Sequence, residues 1–291
     1  MKKIKFVCPN CKNNLLKVSG GFDCKQCKAS FKESSGIPLL LPSTMHKSSL
    51  AEIETWSKWE EDDNKQWLSA GCTDDEYSSF IDMFKKEMPK NSRILEIGCG
   101  WGNFTLRLAR EGYNTFGLDV SPKLCLMAKQ KAERAKLGKT LKFVVGDTMH
   151  LPFPDKSFDI VVSPFVLHHV PDSLETVLKE VRRVLKGGGR FIAVEPSSYN
   201  LLEDIYYLPV LKIKSPNERP ISPKEVRTIL LNVGFKKISM YPVTFYSKKF
   251  YPTLPLVVRF VIRGYDWLAE VLSKVSGIEL IKGNYFYTSA I

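Results

Sequence analysis

The sequence predicts an α/β protein with a doubly wound parallel sheet, preceded by a small module that holds a metal ion through cysteines. From residue 92 onward, short apolar runs typical of buried strands alternate with amphipathic helical patterns. The stretch "ILEIGCGWGNFTLRLAR" joins the first of these strands to its helix through a glycine-rich turn. Two CxxC pairs lie near the N-terminus. We therefore expect three segments, at 1–43, 44–91 and 92–291.

Composition indicates a globular protein that works with reduced thiols. The chain has 291 residues, 44% of them hydrophobic, which is enough for one large core or a main domain with an appendage. The start "MKKIKFVCPN" reaches a Cys-Pro turn too early for a signal peptide, and no uncharged 18-residue run could span a bilayer. We expect a cytoplasmic protein. Four of the seven cysteines form the CxxC pairs, a pattern of metal binding and not of a disulfide framework.

The charge of +12 is unevenly distributed along the chain. Residues 1–32 contain eight lysines and one aspartate, whereas residues 47–82 contain ten acidic residues and three lysines. Two interpretations stay open. The basic N-terminal module binds a polyanion such as RNA or a phospholipid surface, or it docks on its own acidic neighbour.

The N-terminal module has the cysteine spacing of a zinc ribbon. Cys8 and Cys11 in "CPNC" are separated by twelve residues from Cys24 and Cys27 in "CKQC", with two glycines between them where a hairpin would turn. Two such knuckles can present four thiolates to one tetrahedral ion, which closes its coordination sphere. A module of about 35 residues buries too little apolar surface to fold alone. We therefore predict a structural zinc ion and expect the ribbon to form its own small core.

The segment from 44 to 91 is predicted to be acidic and helical. It could form a cap over the next domain or a packed lead-in helix, and its position favours the lead-in. Beyond it, the strands "RILEIG", "YNTFGLD", "LKFVVGD", "FDIVVS" and "GRFIAVE" alternate with helices that end at Arg110 or span 121–137 and 171–186. This order requires a parallel sheet covered on both faces, with its ligand at the carboxyl ends of the strands.

A long connection separates the last two predicted strands, "FKKISMY" and "NYFYTSAI", and carries an apolar helical insertion at about 250–276. On a helix from 254 to 275 its charged residues form one narrow stripe: Arg259, Arg263, Asp266, Glu270 and Lys274. Two interpretations stay open here as well. The helix is buried in the domain or in a dimer interface, or it is a lid over a hydrophobic substrate or a membrane-surface contact.

The glycine turn predicts close approach of a ligand to the backbone. Gly98, Gly100 and Gly102 remove side chains between strand and helix, and the helix from about Asn103 directs its N-terminal amides there. A carboxylate or a phosphate would bind well at such a place. A dinucleotide fingerprint would require glycine at position 103, so the glycines alone leave the ligand open.

Four motifs together resemble the class I S-adenosylmethionine-dependent methyltransferases, in particular the type 11 and quinone-methyltransferase group. These are "LEIGCGWG", "GLDVSP", "GDTMHLPFPDKSFDIVVSPFVLHHVPD" and "VLKGGGRFIAVEP". The resemblance implies a seven-stranded Rossmann-like sheet and S-adenosylmethionine as cofactor. The implied cofactor-binding residues are Glu96, Gly98, Cys99, Gly100, Gly102, Asp119, Val120, Asp147, Thr148, Met149 and Ser163.

The resemblance also implies roles for several of these residues. The glycines at 98–102 receive the methionine part of the cofactor, Asp119 accepts hydrogen bonds from the ribose hydroxyls, and Asp147 meets the adenine amine beside Thr148 and Met149. Carboxylates suit a diol and an exocyclic amine, both of which donate hydrogen bonds. The alternative is that Asp119 and Asp147 only cap the turns that follow them.

A catalytic base is needed only where the acceptor must lose a proton, because methyl transfer from a sulfonium is otherwise a displacement that requires alignment and exclusion of water. His169 and His168 in "VLHHVPD" are the first candidates, with His169 preferred, and Glu195 is a rival at the end of the fifth strand. Tyr199 and Tyr206 are candidates for the substrate wall.

Function can be narrowed to three hypotheses. The preferred one is methylation, on oxygen or carbon, of a small or lipid-like biosynthetic intermediate. The second is an rRNA or tRNA methyltransferase whose basic ribbon holds RNA, because the N-terminal module resembles the ribbon of some ribosomal-RNA guanine methyltransferases. The third is a catalytically inactive scaffold that binds the cofactor. Peripheral membrane contact and the oligomeric state stay open.

Overall fold

The computed structural model describes residues 5–58, 81–138, 140–199, 217–243, 256–276 and 285–291. Its strands are Leu15–Val18 (β1), Gly21–Cys24 (β2), Ser30–Ser34 (β3), Ile37–Leu40 (β4), Arg93–Ile97 (β5), Asn114–Asp119 (β6), Leu141–Gly146 (β7), Phe158–Pro164 (β8), Leu185–Pro196 (β9), Ile238–Val243 (β10) and Tyr285–Ala290 (β11). Its α-helices are Lys47–Ser57 (α1), Asn103–Arg110 (α2), Pro122–Arg134 (α3), Leu174–Val184 (α4), Pro223–Asn232 (α5) and Leu256–Ser276 (α6).

The strands form one sheet in the order β1-β2-β3-β4-β7-β6-β5-β8-β9-β11-β10. Strands β7, β6, β5, β8 and β9 are parallel, and β11 lies antiparallel between β9 and β10. The chain builds outward from β5, first to one side through β6 and β7 and then to the other through β8 and β9. The crevice beside the carboxyl end of β5 is therefore the place where a doubly wound sheet binds its ligand.

The expectation of a seven-stranded sheet with a separate ribbon is not confirmed, because the sheet has eleven strands. Seven of these strands come from residue 93 onward and four come from the N-terminal module. The two sets join where β4 pairs in parallel with β7, through Leu39 opposite Val145 and Leu40 opposite Gly146. The ribbon therefore extends the edge of the main sheet next to Asp147.

The expectation that the ribbon forms its own small core is wrong. Ribbon side chains belong to the same buried cluster as the main sheet, a cluster that contains Phe22 of the ribbon and Val144 of β7. The ring of Phe6 lies 5.8 Å from that of Phe153, and the amide of Val7 donates to the carbonyl of Pro152 at 3.1 Å. The ribbon is thus packed against the loop that follows β7.

Local sequence signals account for most helix boundaries. Ser121 accepts a hydrogen bond from the Leu124 amide at 3.3 Å and starts α3, with proline in its first turn. The predicted helix from residue 171 begins instead as a 3-10 turn, and α4 starts only at Leu174. Helix α4 ends at Val184, and β9 begins at Leu185 and includes the glycines at 187–189, of which Gly188 has a φ of 73°.

Helix α6 covers residues 256–276 of the segment where the sequence predicts a helical insertion at about 250–276, and 250–255 lie outside the described residues. Ile262 and Ala269 of this helix are buried. Phe260 and Trp267 are 64% and 68% exposed, so a broad apolar face of the helix is not part of the described core. Among the helices that the structure describes, none is both long and apolar enough to cross a membrane.

Candidate active site

The glycine turn after β5 adopts the conformation for which glycine is needed. Gly98, Gly100 and Gly102 have φ angles of 64°, 50° and 82°. A Cβ atom on Gly98 would lie 2.5 Å from a methyl group of Val166, so this glycine allows the turn to pack on the loop after β8. A Cβ atom on Gly100 would meet no atom of the described residues within 4 Å. The backbone of Gly100 therefore borders open space.

Helix α2 begins directly behind this opening. Its N-cap is Gly102, which makes no side-chain capping hydrogen bond, and its first residue is Asn103. The first amides of a helix lack partners within the helix and attract an anionic group. The site thus offers backbone donors to a carboxylate, as the sequence predicted.

Asp119 ends β6 and faces the glycine turn. Its carboxylate accepts hydrogen bonds from the amides of Gly100 and Ser121 at 2.8 and 2.9 Å. Burial raises the pKa of Asp119 to about 6, although these two amide bonds oppose the rise. The contacts agree with the turn-capping interpretation. They also leave lone pairs on both oxygens, so the carboxylate could accept further hydrogen bonds from a diol.

Asp147 lies at the carboxyl end of β7 and is 1% exposed. One of its oxygens accepts a hydrogen bond from the Met149 amide at 2.9 Å, which starts a 3-10 turn through Thr148. The other oxygen is buried and finds no hydrogen-bond partner among the residues that the structure describes. A buried carboxylate oxygen in this state strongly favours a ligand that donates a hydrogen bond. The Oγ atom of Ser163, near the end of β8, is also buried and has no hydrogen-bond partner among the described residues.

Three other predicted cofactor residues lie beneath or beside this opening. Glu96 is buried and accepts a hydrogen bond from the hydroxyl of Thr105, and its burial raises the pKa of its carboxyl group well above the ordinary value. Burial likewise raises the pKa of the Cys99 thiol. Val120 is half-buried after β6. Their contact with a cofactor stays a prediction.

Glu195 is fully buried at the end of β9 and holds the loop after β8. Its carboxylate accepts hydrogen bonds from the amides of Val166, Leu167 and His168 at 3.0, 2.9 and 3.3 Å. It also lies 2.8 Å from Nδ1 of His168. These four contacts fix the loop conformation and orient His168. They favour a structural role for Glu195, whereas its role as a base stays a prediction.

His169 is the predicted catalytic residue with the most charged neighbours. Its Nδ1 atom lies 3.2 Å from a carboxylate oxygen of Glu52 and 3.9 Å from one of Glu218. The centre of its ring lies 4.2 Å from that of His168, with the two ring planes tilted by 39°. Burial by itself would lower the pKa of the His169 imidazole, but the hydrogen bond to Glu52 and the negative charges of Glu52, Glu218 and Glu195 outweigh burial and raise it.

The sequence analysis missed both carboxylates that face His169. Glu52 lies on α1, 117 residues before the histidine, and Glu218 follows a part of the chain outside the described residues. Neither residue stands in a motif with recognisable spacing. The only sequence signal was that 44–91 could cap the next domain, an interpretation that we ranked below the lead-in. Of the two predicted wall residues, Tyr199 accepts a hydrogen bond at its carbonyl from the Tyr265 hydroxyl, and Tyr206 lies outside the described residues.

The four ribbon cysteines converge on one point. Their sulfur atoms all lie within 4.8 Å of one another, with 3.5 Å between Cys8 and Cys27 and between Cys11 and Cys24. Zinc–sulfur bonds of about 2.3 Å in a tetrahedron place the sulfurs roughly 3.8 Å apart. The four thiols are free of disulfides. Their arrangement fits a closed four-thiolate metal site.

Fold and crevice together define a Rossmann-like protein of the methyltransferase class. A family model described as "Methyltransferase domain" matches residues 95–193. A demethylmenaquinone methyltransferase of Oceanobacillus iheyensis is 33% identical over 185 residues, which cover 56% of this chain and 77% of the relative. The chain therefore belongs to the family of S-adenosylmethionine-dependent methyltransferases that includes this relative.

Other relatives match over a shorter region. A demethylmenaquinone methyltransferase of Bacillus licheniformis is 38% identical over 126 residues, covering 42% of this chain and 53% of the relative. A ubiquinone/menaquinone biosynthesis C-methyltransferase of Rickettsia bellii is 37% identical over 134 residues, covering 43% and 54%. The chain thus spans about half the length of most of these curated relatives.

Solved structures agree on the fold. A methyltransferase of Thermotoga maritima, described as a possible histamine N-methyltransferase, has a TM-score of 0.57 at 21% identity and covers 82% of this chain and 98% of its own. The Haemonchus contortus phosphoethanolamine N-methyltransferase 2, solved with S-adenosyl-L-methionine, has a TM-score of 0.55 at 21% identity and covers 75% and 52%. At these identities the likeness concerns the fold alone.

Proposed function

We propose that this protein transfers a methyl group from S-adenosylmethionine to a quinone-like biosynthetic intermediate. The observation that carries the proposal is the buried oxygen of Asp147, which has no hydrogen-bond partner among the described residues and lies at the same edge of the sheet as the turn at Gly100. A ligand that fits both has a hydrogen-bond donor at one end and tolerates close backbone contact at the other. The acceptor class rests on the names of the demethylmenaquinone and ubiquinone/menaquinone methyltransferases among the relatives.

Each cofactor contact uses a different property of the crevice. The amides at the start of α2 would bind the carboxylate of the methionine part, and the open space at Gly100 would hold its chain. Asp119 would accept the ribose hydroxyls, and the second oxygen of Asp147 would accept the adenine amine. The bound cofactor supplies a methyl group activated on a sulfonium. The residues of the chain bind it, orient it and exclude water.

The base that takes a proton from the acceptor is assigned to the pair His168 and His169. A quinol that is methylated at carbon has to lose a proton, so a base near the reacting ring speeds the transfer. We assign this role to His169, because His168 and Glu195 are committed to each other and to the loop amides. We assign a structural zinc ion to the four ribbon cysteines, in keeping with the convergence of their sulfur atoms.

The ribbon contacts that the structure describes lie within the chain. Lys12 donates to Glu180 on α4 at 2.7 Å and to the carbonyl of Leu151 at 3.4 Å, and Lys17 pairs with Glu33 at 2.5 Å. Docking of the ribbon on its own chain therefore accounts for part of its basic charge. No contact of these residues specifically favours the RNA methyltransferase hypothesis, so we carry one candidate function forward.

The test is a transfer assay with cofactor labelled on the methyl group. We expect label to enter a demethylmenaquinol and not ribosomal or transfer RNA. Label in RNA, together with binding that weakens steeply as salt rises, would replace this proposal by the RNA alternative. Cofactor binding without transfer to any acceptor in a cell extract would instead favour the inactive scaffold.

Cofactor binding should depend on Asp119 and on pH. We expect Asp119→Ala to weaken binding by about 1–3 kcal/mol, because charged hydrogen bonds to the ribose are lost. A protonated carboxyl group accepts hydrogen bonds poorly, so the wild-type affinity should be constant above the pKa of about 6 and fall as the pH drops below it. Calorimetry at several pH values measures both effects. Asp82→Ala, at an exposed carboxylate, is the matched control, and an unchanged affinity in Asp119→Ala would remove Asp119 from the ribose site.

A further inference from the structure

We propose that Glu52, on the helix that precedes the sheet, is a positioning residue for His169. Its carboxylate orients the imidazole and stabilises the imidazolium that forms when His169 takes a proton from the acceptor. The inference rests on the proposed function for the acceptor step, but the pairing of the two residues can be measured without any acceptor. Under this proposal helix α1 contributes to the reaction and is more than a packed lead-in helix.

Glu52 has the contacts of a fixed carboxylate. Its side chain is 9% exposed, and its Oε1 atom lies 3.2 Å from Nδ1 of His169. Its Oε2 atom accepts a hydrogen bond from the indole nitrogen of Trp56 at 2.8 Å. Because both oxygens are directed by separate donors, the carboxylate cannot rotate away from the imidazole without losing a buried hydrogen bond.

Helix α1 is itself held against the cofactor crevice. The ring of Trp56 meets that of Trp101, in the glycine turn, edge to face at 6.1 Å. The ammonium group of Lys123 on α3 donates to the carbonyl of Ser57 at 3.2 Å. The position of Glu52 is therefore coupled to the turn that we propose receives the cofactor, through one aromatic contact.

Among the described residues, charged and titratable groups from several elements surround His169. The carboxylates of Glu52 on α1 and of Glu218 lie 3.2 and 3.9 Å from Nδ1. Glu195 on β9 and Asp119 on β6 act through their charges, and the ring of His168 lies 4.2 Å away at a tilt of 39°. Because Nδ1 faces these carboxylates, we assign the proton of the neutral ring to that nitrogen. Nε2 is then the basic nitrogen.

The proposed step balances as follows. The O–H bond of the acceptor breaks and its proton forms an N–H bond at Nε2 of His169. The O–H electron pair becomes a C=O π bond, and a π pair of the neighbouring ring carbon would form the new bond to the methyl carbon while the S–C pair stays with sulfur. The proton on the methylated ring carbon is then lost to solvent, and the oxygen regains the proton from His169, which restores the aromatic quinol. Glu52 remains an anion throughout and forms an ion pair with the imidazolium, as carboxylates do beside catalytic histidines.

The test compares Glu52→Gln with Glu54→Gln. Both variants remove one negative charge from the same helix, but Glu54 is 70% exposed and pairs with Lys58 on the surface. The chain has four histidines, so NMR of imidazole-labelled protein can follow each ring: His46, His150, His168 and His169. We expect Glu52→Gln to lower the titration midpoint of His169 and Glu54→Gln to leave it unchanged.

The kinetic readout uses the same pair of variants. We expect Glu52→Gln to lower kcat for quinol methylation by about tenfold or more, with cofactor affinity nearly unchanged, and to move the acidic limb of the pH–rate profile to lower pH. Glu52→Asp, which keeps the charge at a shorter reach, should restore the position of that limb and part of the rate. Thermal melts check that each variant is folded.

Three results would overturn the inference. One is a His169 midpoint that does not move in a folded Glu52→Gln protein. Another is a shifted midpoint with an unchanged rate and pH profile, which would make the pairing structural only. The third is loss of turnover on treatment with EDTA while the ribbon keeps its zinc, restored by divalent ions in the wild type and not in His169→Ala, because the ligand atoms of His168, His169 and Glu218 lie within 4.8 Å of one another and could hold such an ion. If no quinol is methylated but the His169 midpoint falls in Glu52→Gln, the pairing stands and the proposed function fails.

Discussion

Replacing Cys24 by serine should remove the zinc ion and weaken cofactor binding, although the cofactor crevice lies in a different part of the chain. Structural zinc contributes about 10–16 kcal/mol of apparent binding free energy in small zinc modules, so the loss of one thiolate should unfold the ribbon. Cys24 is 2% exposed and belongs to the buried cluster that the ribbon shares with the main sheet. Loss of the zinc ion should therefore also destabilise the part of the main sheet that packs on the ribbon.

The path from the ribbon to the cofactor is short. Strand β4 pairs with β7 up to Leu40 and Gly146, and Asp147 is the next residue of the chain. The loop after it is held by the Val7 amide at Pro152 and by the ring contact between Phe6 and Phe153. Without these contacts the loop should be less ordered in the cofactor-free protein. Ordering it on cofactor binding would then cost roughly 1–2 kcal/mol of conformational entropy for each residue.

We expect Cys24→Ser to contain no zinc by emission spectrometry, to melt at a lower temperature and to bind the cofactor at least tenfold more weakly by calorimetry. Lys25→Ser is the matched control, since it changes an exposed residue between the same two ligands and keeps all four thiolates. Wild-type cofactor affinity in a zinc-free Cys24→Ser protein would show that the ribbon is independent of the crevice. Wild-type protein without zinc would refute the structural zinc site.

Local patterns were sufficient to predict the elements that surround the crevice. The strand ends at Ile97, Asp119 and Gly146 follow from apolar runs that stop at glycine or a short polar residue. The positive φ angles of the turn follow from glycine itself, whose conformational range explains the sequence around Gly98 and Gly100. At these positions the local backbone conformation and the tertiary structure both require glycine.

What could not be predicted depends on contacts between distant segments. The pairing of β4 with β7 uses backbone groups, which leave no mark in the side-chain pattern, so the ribbon was expected to be separate. In the sequence, Glu52 is one of ten acidic residues between positions 47 and 82, and nothing in the local pattern distinguishes it from the others. Only the packing of α1 against the crevice buries it and places it beside His169, and a single sequence carries no signal of that juxtaposition.

Helix α6 carries the second large prediction, because its exposed surface is far more apolar than that of an ordinary solvated helix. The large apolar side chains that remain exposed are Leu256, Val257, Phe260, Val261, Trp267, Leu268, Val271, Leu272 and Val275. The Tyr265 hydroxyl of the helix donates a hydrogen bond to the carbonyl of Tyr199, and Ile262 of the helix is buried. Tyr199 follows β9 closely, at the carboxyl edge of the sheet where the acceptor is proposed to bind.

The interpretation of α6 as ordinary core does not suit this exposure. A dimer interface, a membrane-surface contact and a lid over a hydrophobic acceptor remain, and we predict the lid because the hydrogen bond to Tyr199 places α6 beside the carboxyl edge of the sheet. Phe260→Ser and Trp267→Ser should leave the melting temperature and cofactor affinity close to wild type, since neither side chain packs in the described core. The apolar contact of one such side chain with a substrate contributes about 1.5–3 kcal/mol, so kcat/KM for the quinol should fall roughly tenfold to a hundredfold.

Ile262→Ser on the same helix is the contrasting variant. Ile262 is 1% exposed, and its loss should destabilise the fold by a few kcal/mol and lower the melting temperature, because a polar group replaces a buried side chain. Melting curves and turnover of a long-chain quinol, compared with one that lacks the chain, separate the two effects. If Phe260→Ser and Trp267→Ser keep wild-type kcat/KM on the long-chain quinol, the exposed face of α6 is not a lid. If they lower the melting temperature as much as Ile262→Ser does, that face is covered within the protein and the helix belongs to its core.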